Sequence, residues 1–203
     1  MIIKELKKKN YFRYLQLQLS NYDKKDEIAL IFLFEIELYK IYNSTLEPIL
    51  KKIKYQWLID EIHKEKSNYF LVKNLHLRLD KLNITSHLIE IINNFQFLDE
   101  KIEDKKLVDK FFKEFNSQFN FLIKRIYFSK KDEFFSSYEF QVVLFFYTIK
   151  KYDYFFEKSY FINLNVENIF EKTFINLFFN KKRYIHKPIT KLSFLINLIK
   201  NSF

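Results

Sequence analysis

The sequence predicts an all-α protein, a single-domain helical bundle spanning residues 1–203, and three observations carry that reading. Glycine is absent and proline occurs twice, where average usage would supply about 7% and about 5%. Hairpins lean on glycine-bearing turns, so a chain without glycine has few ways to build strands. Apolar residues recur at three- and four-residue steps, the period of a helix with a buried face. Aromatic side chains make up 20% of the chain, enough to fill a large core even though alanine, the best helix former, occurs once, at Ala29.

Residues 2–20 read as a basic opening followed by an apolar helix from Tyr11 to Leu19, and Asn21 to Asp26 as a polar turn. The organising stretch comes next. A helix is expected over 27–42, and from 28 to 42 it is apolar on most sides, interrupted only by Glu35, Glu37 and Lys40, which predicts burial between other helices with one polar strip. A second helix over 45–64 is expected to start near Thr45, whose hydroxyl can accept an early backbone N–H, with Pro48 in the first turn, where its missing N–H has no partner to lose. Its predicted core face is Leu46, Ile49, Leu50, Ile53, Trp57 and Leu58, with Lys51, Lys52 and Lys54 falling between them.

Beyond it, Ser67 and Asn68 can cap a helix carrying Phe70, Leu71, Leu75, Leu77 and Leu79, which breaks at Asn83–Thr85. A helix over 86–97 and a charged turn over 99–106 precede a long helix over 107–128, where Phe111, Phe115, Phe119 and Leu122 keep helical spacing. Helices are further expected over 134–149, near 166–179 and from about 190, with an irregular aromatic stretch over 150–164. No linker, repeat or second domain is visible.

Composition excludes several chemistries. Without cysteine there is no disulfide, thiolate nucleophile or cysteine-based zinc site. Without glycine there is no phosphate-cradling loop and no glycine-flanked serine elbow. The histidines, His63, His76, His87 and His186, form no metal-binding pair at helical spacing. Asp99, Glu100, Glu103 and Asp104 are interleaved with Lys101, Lys105 and Lys106 and read as a solvated turn. The net charge of +10 comes from 35 basic residues against 25 acidic ones, but the lysines are spread over every helix. Arginine, which supplies bidentate base reading, occurs only at positions 13, 78, 125 and 183. Nucleic acid is therefore not the expected partner. A membrane surface fits better: Lys4, Lys7, Lys8 and Lys9 precede an aromatic-rich helix, and Lys181–Arg183 precede Phe194, Leu195 and Ile199. No run reaches the ~20 apolar residues of a membrane span, and the N-terminus has no long apolar signal segment, so the expected location is cytoplasmic, peripheral on the inner membrane.

The central stretch resembles the squalene/phytoene synthase family, and most closely its proteobacterial and mitochondrial branch that includes complex I assembly factors. That branch carries a tract Tyr-Ala-Phe-Asn-x-Glu followed by Ser-Glu-Pro-Met-Leu-x-x-Ile-Arg-x-Gln-Trp-Trp-x-Asp. The matching residues are Phe34 and Glu37, then Glu47, Pro48, Leu50, Ile53, Lys54 in place of Arg, Gln56, Trp57, Leu58 in place of the second Trp, and Asp60. Arg13-Tyr14-Leu15 sits where the family has its Arg/Gly-Tyr-Leu opening, and Phe95–Glu100 resembles the tract Arg-Phe-Asp-Leu-Tyr-Asp-Asp without its Arg and first Asp.

The resemblance implies an isoprenoid-synthase type of helical fold, shortened at its C-terminal end. In the enzymes, two aspartate-rich motifs hold Mg²⁺ against a diphosphate leaving group across a helical cavity. Here the first motif falls on Tyr39, Lys40 and Asn43 and retains no carboxylate; the second falls on Ile149 and Asp153, with Tyr160-Phe161 as anchor, and retains one. The assembly-factor branch also lacks these aspartates, and Tyr152 matches its Tyr. The resemblance thus implies a non-catalytic, membrane-associated accessory or respiratory-complex assembly factor without metal or cofactor. Its partners would be an anionic membrane surface, respiratory complex subunits, and an isoprenoid or lipid ligand. The alternative is a prenyl-diphosphate transferase with a rearranged Mg²⁺ site.

Overall fold

A computed structural model describes residues 1–20, 23–101, 105–127, 137–148 and 169–182. The protein is all-α, with no strand among the described residues. The helices are α1 (Ile2–Lys9), α2 (Tyr11–Leu19), α3 (Lys25–Tyr42), α4 (Pro48–His63), α5 (Phe70–Leu79), α6 (Thr85–Lys101), α7 (Lys105–Ile126), α8 (Tyr138–Thr148) and α9 (Ile169–Lys182). The chain divides into two compact units, Met1–Glu133 and Phe134–Phe203.

In the first unit α3 is the axle. It packs against α1, α2, α4, α5, α6 and α7, and every residue from Ile28 to Ile36 is buried, Glu35 included. Only Lys40 on its last turns is fully exposed. A helix surrounded in this way has no solvent side, which is why its sequence carries almost no polar face.

The neighbouring helices form by ordinary local rules. Asn10 separates α1 from α2 by capping the second: its side-chain oxygen accepts the backbone N–H groups of Phe12 and Arg13, each at 3.1 Å. α1 turns Ile2 and Leu6 into the core and leaves Lys4, Lys7, Lys8 and Lys9 outside. Between α5 and α6 a 3₁₀ turn, Asp80–Leu82, ends on Asn83 at φ 50°. This left-handed position would favour glycine, and in a chain without glycine asparagine is the residue that best tolerates it. α6 extends past the expected end at Phe97 because Leu98 continues the buried series Leu88, Ile91, Ile92 and Phe95.

α4 departs from the sequence-based expectation. Pro48 opens it at the first helical position as predicted, but the cap residue is Glu47, and Thr45 makes no cap bond to it. Its core face is Tyr55, Leu58, Ile59 and Ile62, not the predicted series. Of that series only Leu58 is buried and Leu46 half-buried; Ile49 is 62% exposed, Leu50 43%, Ile53 58% and Trp57 42%. The cause is two apolar stripes on opposite sides of one helix. Periodicity in the first half selects one of them, while packing against α3 and α6 selects the other.

Aromatic rings fill the space between α6, α7 and α3. Phe95 meets Phe111 and Phe115 edge-on at 5.1 and 5.2 Å, Phe115 meets Phe119 at 5.6 Å, and Phe119 stacks on Phe32 of α3 at 5.9 Å and 9°. The predicted α7 series Phe111, Phe115, Phe119 and Leu122 is buried throughout. In the second unit Phe140 of α8 packs edge-on against Phe170 and Phe174 of α9. There the Ser137 N–H at the start of α8 donates to the buried Glu171 carboxylate at 3.0 Å. No helix among the described residues is long and apolar enough to cross a membrane.

Candidate functional site

The polar strip of α3 resolves into two clusters, one on each side of the helix. The first is wholly buried. Arg13 of α2 donates from Nε to Glu35 Oε2 at 2.7 Å and from Nη2 to Glu35 Oε1 at 2.6 Å, a bidentate pair with both side chains fully excluded from solvent. Nη1 donates to Gln16 Oε1 at 2.6 Å, and the Tyr39 hydroxyl donates to Glu35 Oε1 at 2.7 Å. The guanidinium also lies against the rings of Phe32 and Phe119, 4.6 and 5.1 Å from their centroids. Tyr39 in turn touches Phe95 at 5.8 Å. Ion pair and ring ladder therefore close into one circuit through α2, α3, α6 and α7.

The chemistry of this circuit is that of a clamp. Charges taken out of water are tolerable only when paired and hydrogen-bonded, and Glu35 meets that condition with both oxygens engaged. Burial, and then the adjacent Glu35 carboxylate, push the Tyr39 phenol well above its ordinary pKa, outweighing the opposing pull of Arg13. The phenol is thus held neutral as a donor.

The second cluster lies at the margin. Glu37, half-buried, pairs with exposed Lys40 at 3.4 Å. It also bonds the phenol of Tyr69, just ahead of α5, whose pKa is raised first by burial and then by Glu37. The Tyr69 ring meets Trp57 edge-on at 5.1 Å. Two signature positions, Glu37 on α3 and Trp57 on α4, are thereby brought together by a residue that the sequence reading did not single out.

The remaining positions lie apart. Asn43 ends α3, its N–H donating to the Tyr39 carbonyl at 2.9 Å. Glu47 and Pro48 are exposed at the start of α4, and Gln56 donates to Asp60 at 2.8 Å on its surface. The first-motif positions therefore diverge: Tyr39 points into the core, Lys40 and Asn43 are exposed. Ile149, Tyr152, Asp153 and the anchor Tyr160-Phe161 lie outside the described residues, as do Glu103, Asp104, His186, Arg183, Phe194, Leu195 and Ile199 and the side chains of Asp99, Glu100, Lys101, Lys105, Lys106, Lys181 and Lys182.

A third cluster ties α4 to α5. Glu61, nearly buried, accepts from Lys64 and from the Ser67 hydroxyl, which together hold its carboxyl below the usual range, Lys64 foremost. Ser67 also accepts the Tyr69 N–H at 3.0 Å, a turn bond just ahead of α5; the cap residue is Tyr69, with no side-chain cap bond, and not Ser67 or Asn68 as expected. Nearby, His76 bonds the Ile62 carbonyl at 2.9 Å beside a small hollow of about 10 Å³ lined by Leu75, Leu79, Ile84 and Leu88. It has room for about one water molecule and none for an ordinary ligand. Among the described residues no three histidine, aspartate or glutamate side chains gather as a metal site.

No family model, curated protein or solved structure matches this chain. The resemblance described above rests on the residues quoted for it.

Proposed function

We propose that this chain is a non-catalytic helical protein of the squalene/phytoene synthase type that serves as an accessory or assembly factor at the inner face of a membrane, with respiratory complex subunits as its clients. The observation that carries this reading is the condition of the first-motif position Tyr39. Where the enzymes place a metal-binding aspartate, this chain has a phenol whose ring lies in the aromatic core and whose hydroxyl is committed to the Arg13–Glu35 pair. Such a residue fills space and fastens helices; it supplies no carboxylate for Mg²⁺, and its hydroxyl already donates to Glu35. The location is supported by the charge of +10 and by α1, which sets Lys4, Lys7 and Lys8 outward. Of the apolar residues of α1, Ile2 and Leu6 are buried in the core and Ile3 is half-buried, so the basic opening acts mainly through charge.

Three measurements test the proposal. Calorimetry with farnesyl diphosphate should give no Mg²⁺-dependent binding; saturable, Mg²⁺-dependent binding weakened by Asp153→Ala restores the transferase reading. Co-sedimentation with anionic vesicles should succeed and weaken with salt, and native membranes should yield respiratory subunits on pull-down. Indifference to anionic vesicles overturns the membrane location.

A further inference from the structure

The outward stripe of α4 is the largest run of exposed apolar side chains on any described helix: Ile49, Ile53 and Trp57 follow one another at four-residue steps, with Leu50 alongside. One turn of helix advances roughly 100° per residue, so Lys52 and Lys54, one position either side of Ile53, stand roughly 100° from the stripe's centre on opposite flanks. Both are exposed. The other half of the helix is held by the body of the protein through Tyr55, Leu58, Ile59 and Ile62. What remains is a convex apolar ridge between two basic margins.

We infer that this ridge is a lipid-docking surface: Ile49, Ile53 and Trp57 enter the headgroup and upper acyl region of an anionic bilayer while Lys52 and Lys54 reach its phosphates. The inference rests on the membrane reading above and assigns the face responsible for it. Charge complementarity decides the occupant. Lysine is depleted from protein–protein interfaces, whereas an apolar face edged by lysines, with a tryptophan on it, is the make-up of helices that lie in the plane of a membrane interface. The long lysine stems can cover the ridge's edges while their ammonium groups stay at headgroup level. A bilayer also needs no groove to receive a convex surface, and such a helix sinks only ~5–10 Å. Exposed Asp60, seven residues beyond Ile53 and so about 20° from it, ends the ridge on its own line, bonded to Gln56, and exposed Glu47 caps the other end.

Trp57 is the only tryptophan in the chain, so its fluorescence reports on the ridge and nothing else. With the full chain and vesicles of phosphatidylcholine containing phosphatidylglycerol, Trp57 emission should shift to the blue and be quenched by lipids brominated on their acyl chains. Phosphatidylcholine alone should bind more weakly. Ile53→Asp should lower partitioning by at least about tenfold, and Lys52→Gln and Lys54→Gln by about fivefold each, all with unchanged circular dichroism. Ile49→Ser provides the same reading should Ile53→Asp disturb the helix. If the protein sediments with vesicles while Trp57 emission stays fixed and Ile53→Asp and Ile49→Ser are silent, another face docks; the inference fails and the membrane reading stands. If no vesicle binds, both fall. A ridge that ignores lipid and forms a defined complex with an acidic protein also overturns the inference.

Discussion

α3 and α4 come from one continuous stretch and both are rich in large apolar residues, yet one is enclosed by six other helices and the other is bare along half its circumference. In α3 the charged residue that could not be avoided, Glu35, is matched inside the core by Arg13. In α4 Lys52 and Lys54 are exposed and large apolar residues are exposed beside them, while half-buried Lys51 donates to the Tyr42 carbonyl at 2.8 Å. Hydrophobicity alone therefore does not tell a core helix from a docking helix. The distinction lies in whether the apolar side chains of the helix are covered by other elements on every side or left exposed along one of them.

The most direct way to break this contrast is to truncate one aromatic on each helix. Phe32→Ala, which deletes a 1% exposed ring from the ladder, should cost about 3–5 kcal/mol in chemical denaturation. Trp57→Ala, at 42% exposure, should cost only about 1 kcal/mol. Equal losses would mean that α4 is a core helix after all. Arg13→Met should cost a comparable 3–5 kcal/mol, because Glu35 is left charged and buried; Arg13→Met combined with Glu35→Leu should recover much of that. A double variant as unstable as the sum of its parts would locate the energy in shape and not in charge.

Smaller effects sharpen the comparison. Tyr39→Phe removes one donor to a charged acceptor and should cost about 1.5–3 kcal/mol near neutral pH. Because the folded phenol titrates above its unfolded value, that difference should be full below about pH 10 and shrink as pH rises through the folded pKa. The smallest effect is expected at Glu61. Its folded pKa is depressed, so the melting-temperature gap between the native chain and Glu61→Gln should be present above about pH 4.3 and close as pH falls through the folded value. A gap that is independent of pH would show that Lys64 and Ser67 do not prefer the carboxylate.

Much of the fold was legible because local rules agree with packing. The α2 limits Tyr11 and Leu19, the burial of α3 and the phenylalanine series of α7 all follow from periodicity. The α4 core face was misread because the stretch from Leu46 to Leu58 presents the stripe that meets solvent first, and the inward stripe becomes evident only by following Tyr55, Leu58, Ile59 and Ile62 to the helix end. The clamp was half visible. Glu35 is one of three charges interrupting an apolar helix, and Arg13 is one of only four arginines, but nothing local states that residues 22 positions apart face each other. Tyr69 gave no local signal at all, since its role comes from meeting Glu37 and Trp57 from a different helix pair.

The ring ladder also sets how far apart the helices stand. With no glycine and a single alanine in the chain, the contacts between α3, α6 and α7 are carried by whole phenyl groups. Backbones propped on rings relax only partly over a missing one. The hole left by Phe115→Ala would stay open, apolar and dry, with the dimensions of the phenyl group removed, and would admit a benzene-sized molecule. A core assembled from such large pieces is coarse-grained: its volume changes in ring-sized steps, and small adjustments fall to the aliphatic residues at its edges.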